Sequence, residues 1–327
     1  MEIQKIAILY NEPVAGSGAD DWDVLDQVVA VENAMRKLEI PFKRLGIHSG
    51  FMQQVEDLSN EGIRRVFNLV EAIGNKGELN YFVPALLNLK KIAYTGNPLE
   101  ALFITTSKRL TKQILQQNGI PVPLELKPSD WKQMIPGTRY ILKPVWEDGS
   151  AGITGESVFT FNGLPTALVS NANDPYWMIE EFIDGREFNI SVLSGETGPE
   201  ILPLAEMTFR DFGPHRPRIV DYNAKWKEGS FEYENTIRVF PDLSDNPQLF
   251  NKLIQATRDT WNCLGLNGYA RVDVRVDKSG NVFVLEANAN PCISPGSGFA
   301  AASEKAGYSF TEVVGRMLDH MNNANLI

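Results

Sequence analysis

Cysteine is nearly missing: the chain has two, Cys263 and Cys292, and neither stands in a metal-ligand spacing. That excludes a disulfide framework or a cysteine-built zinc site as its organising chemistry. No apolar run approaches the ~20 residues of a membrane-spanning helix. The start, Met1-Glu2-Ile3-Gln4-Lys5, runs straight into Ile6-Ala7-Ile8-Leu9-Tyr10, with no basic segment ahead of an apolar one. No signal peptide is expected, and the cytoplasm is the expected location. A Lys/Arg cluster is also absent. With a net charge of −10 and a pI near 5.0, the chain lacks the electrostatic footprint of a nucleic-acid binder. Any phosphate it holds must meet a few placed cations, helix ends or metal ions. The G-x-x-x-x-G-K-[ST] phosphate loop is missing too.

What is present describes a globular chain. The 327 residues are 43% apolar and 22% charged, enough for two or three domains with a sizeable core. The first third alternates strands (Lys5–Tyr10, Pro41–Leu45, Arg65–Leu69, Lys91–Tyr94) with helices (Trp22–Leu38, Tyr81–Leu89). Such alternation implies a parallel sheet. Thr95-Gly96-Asn97-Pro98 breaks the pattern, and a helix from about Ser107 runs to the stop at Gly119 and Pro121. A domain boundary is placed near residue 105.

The middle is strand-rich, at Arg139–Lys143, Ser157–Phe161, Trp177–Ile183 and Glu187–Leu193, with a helix around Leu164–Ser170. Arg210–Tyr233 shows no period, and a stretch that long without its own structure is usually functional or mobile. Asn246-Pro247 starts a helix with a cap and an N1 proline. Two strands, Gly268–Val276 and Asn281–Asn288, follow across a tight turn, and Phe310–Met321 closes the chain as an amphipathic helix.

The strand pair carries the strongest chemical signal. A period of two puts Arg271, Asp273 and Arg275 on one face, and Glu286 and Asn288 share a face of the next strand. Antiparallel pairing lets Asp273, Glu286 and Asn288 converge. Two carboxylates and an amide oxygen are hard ligands suited to Mg²⁺. Arg271 beside them is placed to hold a transferring phosphoryl group. The plain alternative is an exposed strand face with compensating charges.

A second signal is Ile141-Leu142-Lys143-Pro144 followed by Glu147-Asp148-Gly149-Ser150-Ala151-Gly152-Ile153. A lysine ending a strand ahead of a small-residue loop can cradle phosphate, though Gly-Ser loops after strands are common. A third is Met178 to Ile183 with Gly185-Arg186-Glu187: the strand edge can meet an adenine through its backbone, and Glu187 a ribose hydroxyl. In isolation a charged edge strand is the better reading.

In this order the pieces are specific. The chain resembles the D-alanine–D-alanine ligase family of ATP-grasp enzymes over nearly its whole length. The matching stretches are Tyr94-Thr95-Gly96 with Ser107-Lys108 and Thr111-Lys112; Leu142-Lys143-Pro144; Glu180 to Glu187; Asp221 to Trp226; Gly268 to Asp273; and Leu285 to Asn288 with Pro291. The resemblance implies an α/β ATP-grasp fold of three domains: an N-terminal parallel-sheet domain at 1–104, a central lid at 105–182, and a C-terminal domain at 183–327 carrying metal and substrate. ATP would lie between the second and third, with Mg²⁺ or Mn²⁺. The substrates would be small amino acids or dipeptide-like molecules. A homodimer through the N-terminal domain is also implied.

Carried over by residue, Lys108 and Lys143 match the ATP-phosphate lysines. Glu180 and the backbone of Glu181, Phe182 and Ile183 match the adenine contacts, and Glu187 the ribose ligand. Lys225 matches the lysine of a loop that closes over the phosphates. Asp273, Glu286 and Asn288 match the metal ligands. Arg271 matches the arginine that steadies the acyl-phosphate and the tetrahedral intermediate, and Ser150 joins Arg271 and Lys225 as a candidate catalytic residue. Ser297, with Gly298, matches the site for the second substrate's carboxylate. Glu12 is the candidate for the first substrate's ammonium group.

The departures fall on the amino-acid side. Val70 and Glu71 stand where the family has His-Gly, Trp226 where it has tyrosine, Cys292 where it has glycine and Gly296 where it has histidine. Glu71 adds a charge that can meet an amino-bearing substrate or simply face solvent. Cys292 reads as packing rather than as a nucleophile, because acyl-phosphate chemistry needs none. His215 reads as a solvated loop residue. The expected activity is an ATP-dependent carboxylate–amine ligase with altered substrate preference. The alternatives are a true D-alanine–D-alanine ligase and a non-catalytic ATP-binding protein.

Overall fold

A computed structural model describes residues 5–14, 18–48, 50–74, 76–147, 149–163 and 174–324. The helix expected at Leu164–Ser170, and Gly16, Ser17, Asn75 and Asp148, lie outside the described residues. The chain begins with β1 (Ile6–Asn11), α1 (Ala19–Lys37), β2 (Phe42–Ile47), α2 (Phe51–Asn60), β3 (Arg65–Leu69), α3 (Phe82–Leu89) and β4 (Ala93–Tyr94). Its four strands pair in parallel in the order β2-β1-β3-β4. Helices cover both faces, which is why β1 reads as an unbroken apolar run. α2 was not foreseen: its sequence, Phe51 to Asn60, buries only Phe51, Val55 and Leu58.

Next come α4 (Leu99–Thr106) and α5 (Lys108–Gln117). Ser107 separates them and caps α5, its Oγ accepting the Leu110 N–H at 3.3 Å. Gly119 then takes φ +75°, the left-handed turn that ends a helix. An antiparallel sheet follows, built from β5 (Glu125–Leu126), β6 (Arg139–Pro144), β7 (Val158–Thr160) and β8 (Trp177–Glu181) in the order β5-β8-β6-β7.

The last sheet takes β9 (Gly185–Gly195), β10 (Gly198–Ile201), β11 (Ala205–Phe209), β12 (Thr236–Val239), β13 (Tyr269–Asp277) and β14 (Val282–Asn288). Its order is β12-β11-β9-β13-β14, with β10 on β9. Between β11 and β12 lie two one-turn helices, α6 (Tyr222–Trp226) and α7 (Phe231–Asn235), inside the stretch that showed no period. Each is too short to declare a hydrophobic repeat. α8 (Pro247–Cys263), α9 (Gly298–Lys305) and α10 (Phe310–Ala324) complete the chain. Among the described residues no helix is long and apolar enough to cross a membrane.

Packing joins the first and last sheets into one body. Val28 and Val31 of α1 share a core with Phe299 of α9, Val314 and Met317 of α10, and Tyr269 of β13. Buried Asn97 stitches the seam: its Nδ2 donates to the carbonyls of Tyr269 and Ala289, each at 2.6 Å, and its Oδ1 accepts the Asn267 N–H at 2.6 Å. A β-carbon on Gly268, at φ +69°, would fall 2.8 Å from the Gly96 carbonyl oxygen. Only glycine allows that approach. A second core sets Val272, Val274 and Val276 of β13 against Leu253 and Trp261 of α8 and Leu115 of α5. At ~1.5–3 kcal/mol per large buried side chain, this packing holds β13 flat against its helices. The other face of β13 is left for the site.

Candidate functional site

The free face of β13 carries Arg271, Asp273 and Arg275, as the period of two requires. Asp273 pairs with Glu286 of β14, and Arg271 with Asn288. The register slips between Asp273 and Val274, and the bulge leaves Leu285 unpaired. Its carbonyl turns to the Lys112 ammonium at 2.6 Å. Arg271 forks onto Asp273 through Nε and Nη2, at 2.7 and 2.8 Å. Burial pushes the Asp273 carboxyl up, and Arg271 only partly offsets it. Burial acts the same way on Glu286, but Lys108, Lys143, Lys225 and Arg271 outweigh it and hold that carboxyl below the usual range.

A buried carboxylate opposite a half-buried one favours a cation between them. Their oxygens and the Asn288 amide are hard donors, which fits magnesium or manganese. Asn288 Oδ1 accepts the Asn290 N–H at 2.8 Å and keeps a second lone pair. Among the described residues no group of three or more His, Cys, Asp or Glu forms a softer cage.

Next to the carboxylates lies a lysine-lined chamber. Lys108 sits 3.6 Å from Glu286 and donates to the Glu147 carbonyl. Lys143, ending β6, reaches Glu180 at 2.6 Å, and Lys112 reaches its other oxygen at 2.8 Å. Burial raises the Glu180 carboxyl, yet the two lysines prevail and keep it below its usual range. Burial brings Lys112 down to about 8. Glu180 thus anchors two cations, Lys143 in the chamber wall and Lys112 behind it, and the wall continues through Glu181, Phe182 and Ile183. Glu187 faces the same space, but Arg275 holds its Oε2 at 2.7 Å, and the Ile183 carbonyl accepts from Arg275 at 2.8 Å. Lys112 and Arg275 were not assigned roles from sequence. Their signals were there: Lys112 lies one helical turn past Lys108, and Arg275 shares the face of Arg271.

The loop before α6 closes over this chamber. Ser150, at φ +65°, donates to the Val220 carbonyl at 2.6 Å. The Tyr222 N–H bonds the Ile153 carbonyl at 3.1 Å, and Trp226 Nε1 bonds the Gly149 carbonyl at 2.9 Å. Asp221 caps α6 through the Ala224 N–H at 2.9 Å. Lys225 is thereby carried to the chamber wall, its ammonium lowered by burial and by Arg271.

Ser297 caps α9, its Oγ accepting the Ala300 N–H at 3.2 Å, which leaves its O–H to donate. Gly298 opens that helix. Cys292 Sγ donates to Asp23 at 2.8 Å and lies 3.0 Å from Ser294 Oγ. Burial, with the charges of Asp23 and Glu71, pushes the thiol up and away from thiolate formation. Glu71 accepts from Gln27 at 3.1 Å, and Asn11 Oδ1 fixes its backbone N–H at 2.7 Å. Val70 has no polar side chain: its carbonyl accepts from Asn290 at 3.0 Å and its N–H donates to Asn68 Oδ1 at 3.3 Å. Glu12 is not brought to these groups: its exposed carboxylate lies over Gly46, on the β2 side of the sheet. The acid nearest Cys292 is Asp23, one turn from Gln27 on α1, and sequence reasoning missed it.

Comparison with known proteins bears on family and fold. A family model described as "D-ala D-ala ligase C-terminus" matches residues 134–319. The chain is 32% identical over 277 residues to the D-alanine–D-alanine ligase of Carboxydothermus hydrogenoformans, covering 80% of this chain and 83% of that protein. In structure it is similar to the D-alanine–D-alanine ligase of Bacillus anthracis complexed with ATP, with TM-score 0.74, 17% identity and 98% of both chains covered. The VanG D-Ala:D-Ser ligase of Enterococcus faecalis matches with TM-score 0.74 at 17% identity, over 98% of this chain and all of that one (100%).

Proposed function

This chain belongs to the D-alanine–D-alanine ligase family, and from that premise we propose that it joins a carboxylate to an amine through an acyl-phosphate, with substrates other than two molecules of D-alanine. It is an ATP-dependent ligase. The observation that carries the finer reading is the convergence of Lys108, Lys143 and Lys225 with Arg271, Asp273 and Glu286 around one chamber. Binding alone would not call for all of them.

In this reading residues 1–104 meet the first substrate, 105–182 form the lid, and 183–327 carry the reacting centre. Lys108 and Lys143 hold the ATP phosphates, the strand edge at 181–183 meets the adenine, and Glu187 meets the ribose. Asp273, Glu286 and Asn288 would hold magnesium, which there offsets charge on the phosphate oxygens. The substrate carboxylate attacks the terminal phosphorus, the bond to the departing ADP breaks, and Arg271 offsets the charge that spreads over the transferring group. Ser297 orients the amine through its carboxylate. The amine attacks the acyl carbon, and phosphate leaves. The closed loop, bonded through Ser150, Tyr222 and Trp226, keeps water from the acyl-phosphate.

The altered preference is supported where the site departs from its relatives. Cys292 is hydrogen-bonded to Asp23 with the charge of Glu71 nearby, and no side chain stands at Gly296. Incubation with ATP, Mg²⁺ and a pool of amino acids and dipeptides should release ADP and phosphate in step with product. AMP and pyrophosphate as the stoichiometric products would overturn the acyl-phosphate route.

A further inference from the structure

Arg238 has no part in the chemistry above, and its surroundings are unusual. It lies on β12 opposite Met207, which lies opposite Glu187 on β9, which lies opposite Arg275 on β13. Directly paired residues point to the same side of a sheet. Arg238 therefore rises from the face that carries Arg271 and Asp273. Its Nη1 donates to the Gly296 carbonyl at 3.0 Å. The rest of the guanidinium lies over the start of α9, where a β-carbon on Gly298 would come 3.9 Å from Nη2. A β-carbon on Gly296 would meet nothing within 4 Å. Gly296 leaves open space beside the guanidinium, and Gly298 lies within van der Waals reach of it.

Among the described residues no carboxylate is within ion-pair distance of Arg238. The charged neighbour that acts most on it is another cation, Arg271. Arg271 is itself committed to Asp273 by a two-bond fork. A half-buried guanidinium held beside a second cation is costly unless an anion comes to it. Its planar donors match a carboxylate with two parallel bonds.

We propose that Arg238 is a specificity-determining residue that binds a second carboxylate of the amine substrate, so that the preferred acceptor is an amino acid with an acidic side chain. This rests on the ligase reading above. Ser297 takes the main-chain carboxylate of the acceptor, and Arg238 takes the carboxylate of its side chain. The room over Gly296 accommodates the longer molecule.

The test uses the full chain with Mg²⁺ and a non-hydrolysable ATP analogue. Binding of aspartate, glutamate and alanine, in both hands, is measured by calorimetry for the wild type, Arg238→Gln and Arg238→Lys. One acidic amino acid should bind the wild type at least about tenfold more tightly than alanine, a difference of ~1.4 kcal/mol. Arg238→Gln should bring that ratio close to one, and Arg238→Lys should retain part of it. The ratio of kcat/KM for acidic over neutral acceptors, read from ADP release, should follow the same order. A wild type that binds alanine as tightly as either acid overturns the proposal, as does an Arg238→Gln protein that keeps the discrimination. If Arg238→Gln does not fold, the wild-type ratio and Arg238→Lys still decide. Acidic amino acids bound through Arg238 without any ADP release would leave the anchor standing and remove the ligase reading. ADP release with neutral acceptors and no discrimination would do the reverse.

Discussion

Asp273 and Glu286 lie opposite each other on neighbouring strands, and their carboxyls are driven in opposite directions. The surrounding lysines keep Glu286 ionised, whereas burial lifts Asp273 despite the Arg271 fork. Asp273→Asn and Glu286→Gln each remove one charge from this pair and leave side-chain size unchanged. We expect either change to lower kcat for ADP release by about 10²-fold or more while thermal unfolding and circular dichroism stay those of a folded protein. Near-normal turnover in either variant would remove the magnesium site from this strand pair. These residues were legible in the sequence because the period of two and one tight turn dictate which side chains meet. Arg238 was not, because its role depends on which strand lies beside β11. That neighbour is set by a loop of about two dozen residues whose composition shows no repeat.

At the scale of elements, the loop before α6 and α6 itself are docked on the segment around residues 149–155 by hydrogen bonds that include one from the Trp226 indole. Trp226→Phe removes that donor and keeps an aromatic ring. A single bond of this kind contributes ~0.5–1.5 kcal/mol. The loop should therefore open more often, and ADP release without an amine acceptor should rise several-fold relative to coupled turnover. An unchanged ratio of uncoupled to coupled ADP release would show that the indole does not restrain the loop. A second clamp joins β10 to α10: Tyr308 Oη and Arg316 Nη2 each reach the Glu200 carboxylate at 2.6 Å. Burial raises the Glu200 carboxyl, but these two partners outweigh it and its folded-state pKa is lowered. A lowered carboxyl stabilises the fold above the unfolded value of ~4.3, and that contribution is lost as pH falls below it. Glu200→Gln should therefore reduce the unfolding temperature at pH 7, and the gap to wild type should narrow by about pH 3.5. An equal gap at both values would mean that the clamp acts through packing rather than charge. In the parallel sheet β1 and β3 were legible because buried strands read as largely apolar runs. The edge strands β5, β10 and β12 were not, because each is four residues or shorter and carries no alternation of its own.

Across the whole molecule, the nucleotide side and the amino-acid side are built differently. The side we assign to the nucleotide lies between β8, β9, β13 and β14, and its lysines and carboxylates hold one another in place before any ligand arrives. The amino-acid side forms where the ends of β3 and β4 meet the loop after β14, a junction stitched by Asn97 and Asn290. All of the departures named in the sequence except Trp226 lie at this junction or in the loop that leaves it. Val70 offers no polar side chain, Gly296 offers no side chain at all, and the thiol of Cys292 is already given to Asp23. A site that discriminates small amino acids does so by pairing their polar groups, and each unpaired buried group costs about 1–3 kcal/mol. With two such partners replaced, D-alanine should lose selectivity at one or both positions, and larger or charged amino acids should gain. The measurement is kcat/KM for ADP release across D- and L-amino acids and dipeptides, offered singly and in pairs. D-alanine alone should fall below at least one other pair. If it instead supports about 10⁴ M⁻¹s⁻¹ or more, within the ordinary range for a physiological substrate, and nothing exceeds it, the rebuilt group of Asp23, Glu71 and Cys292 serves D-alanine after all.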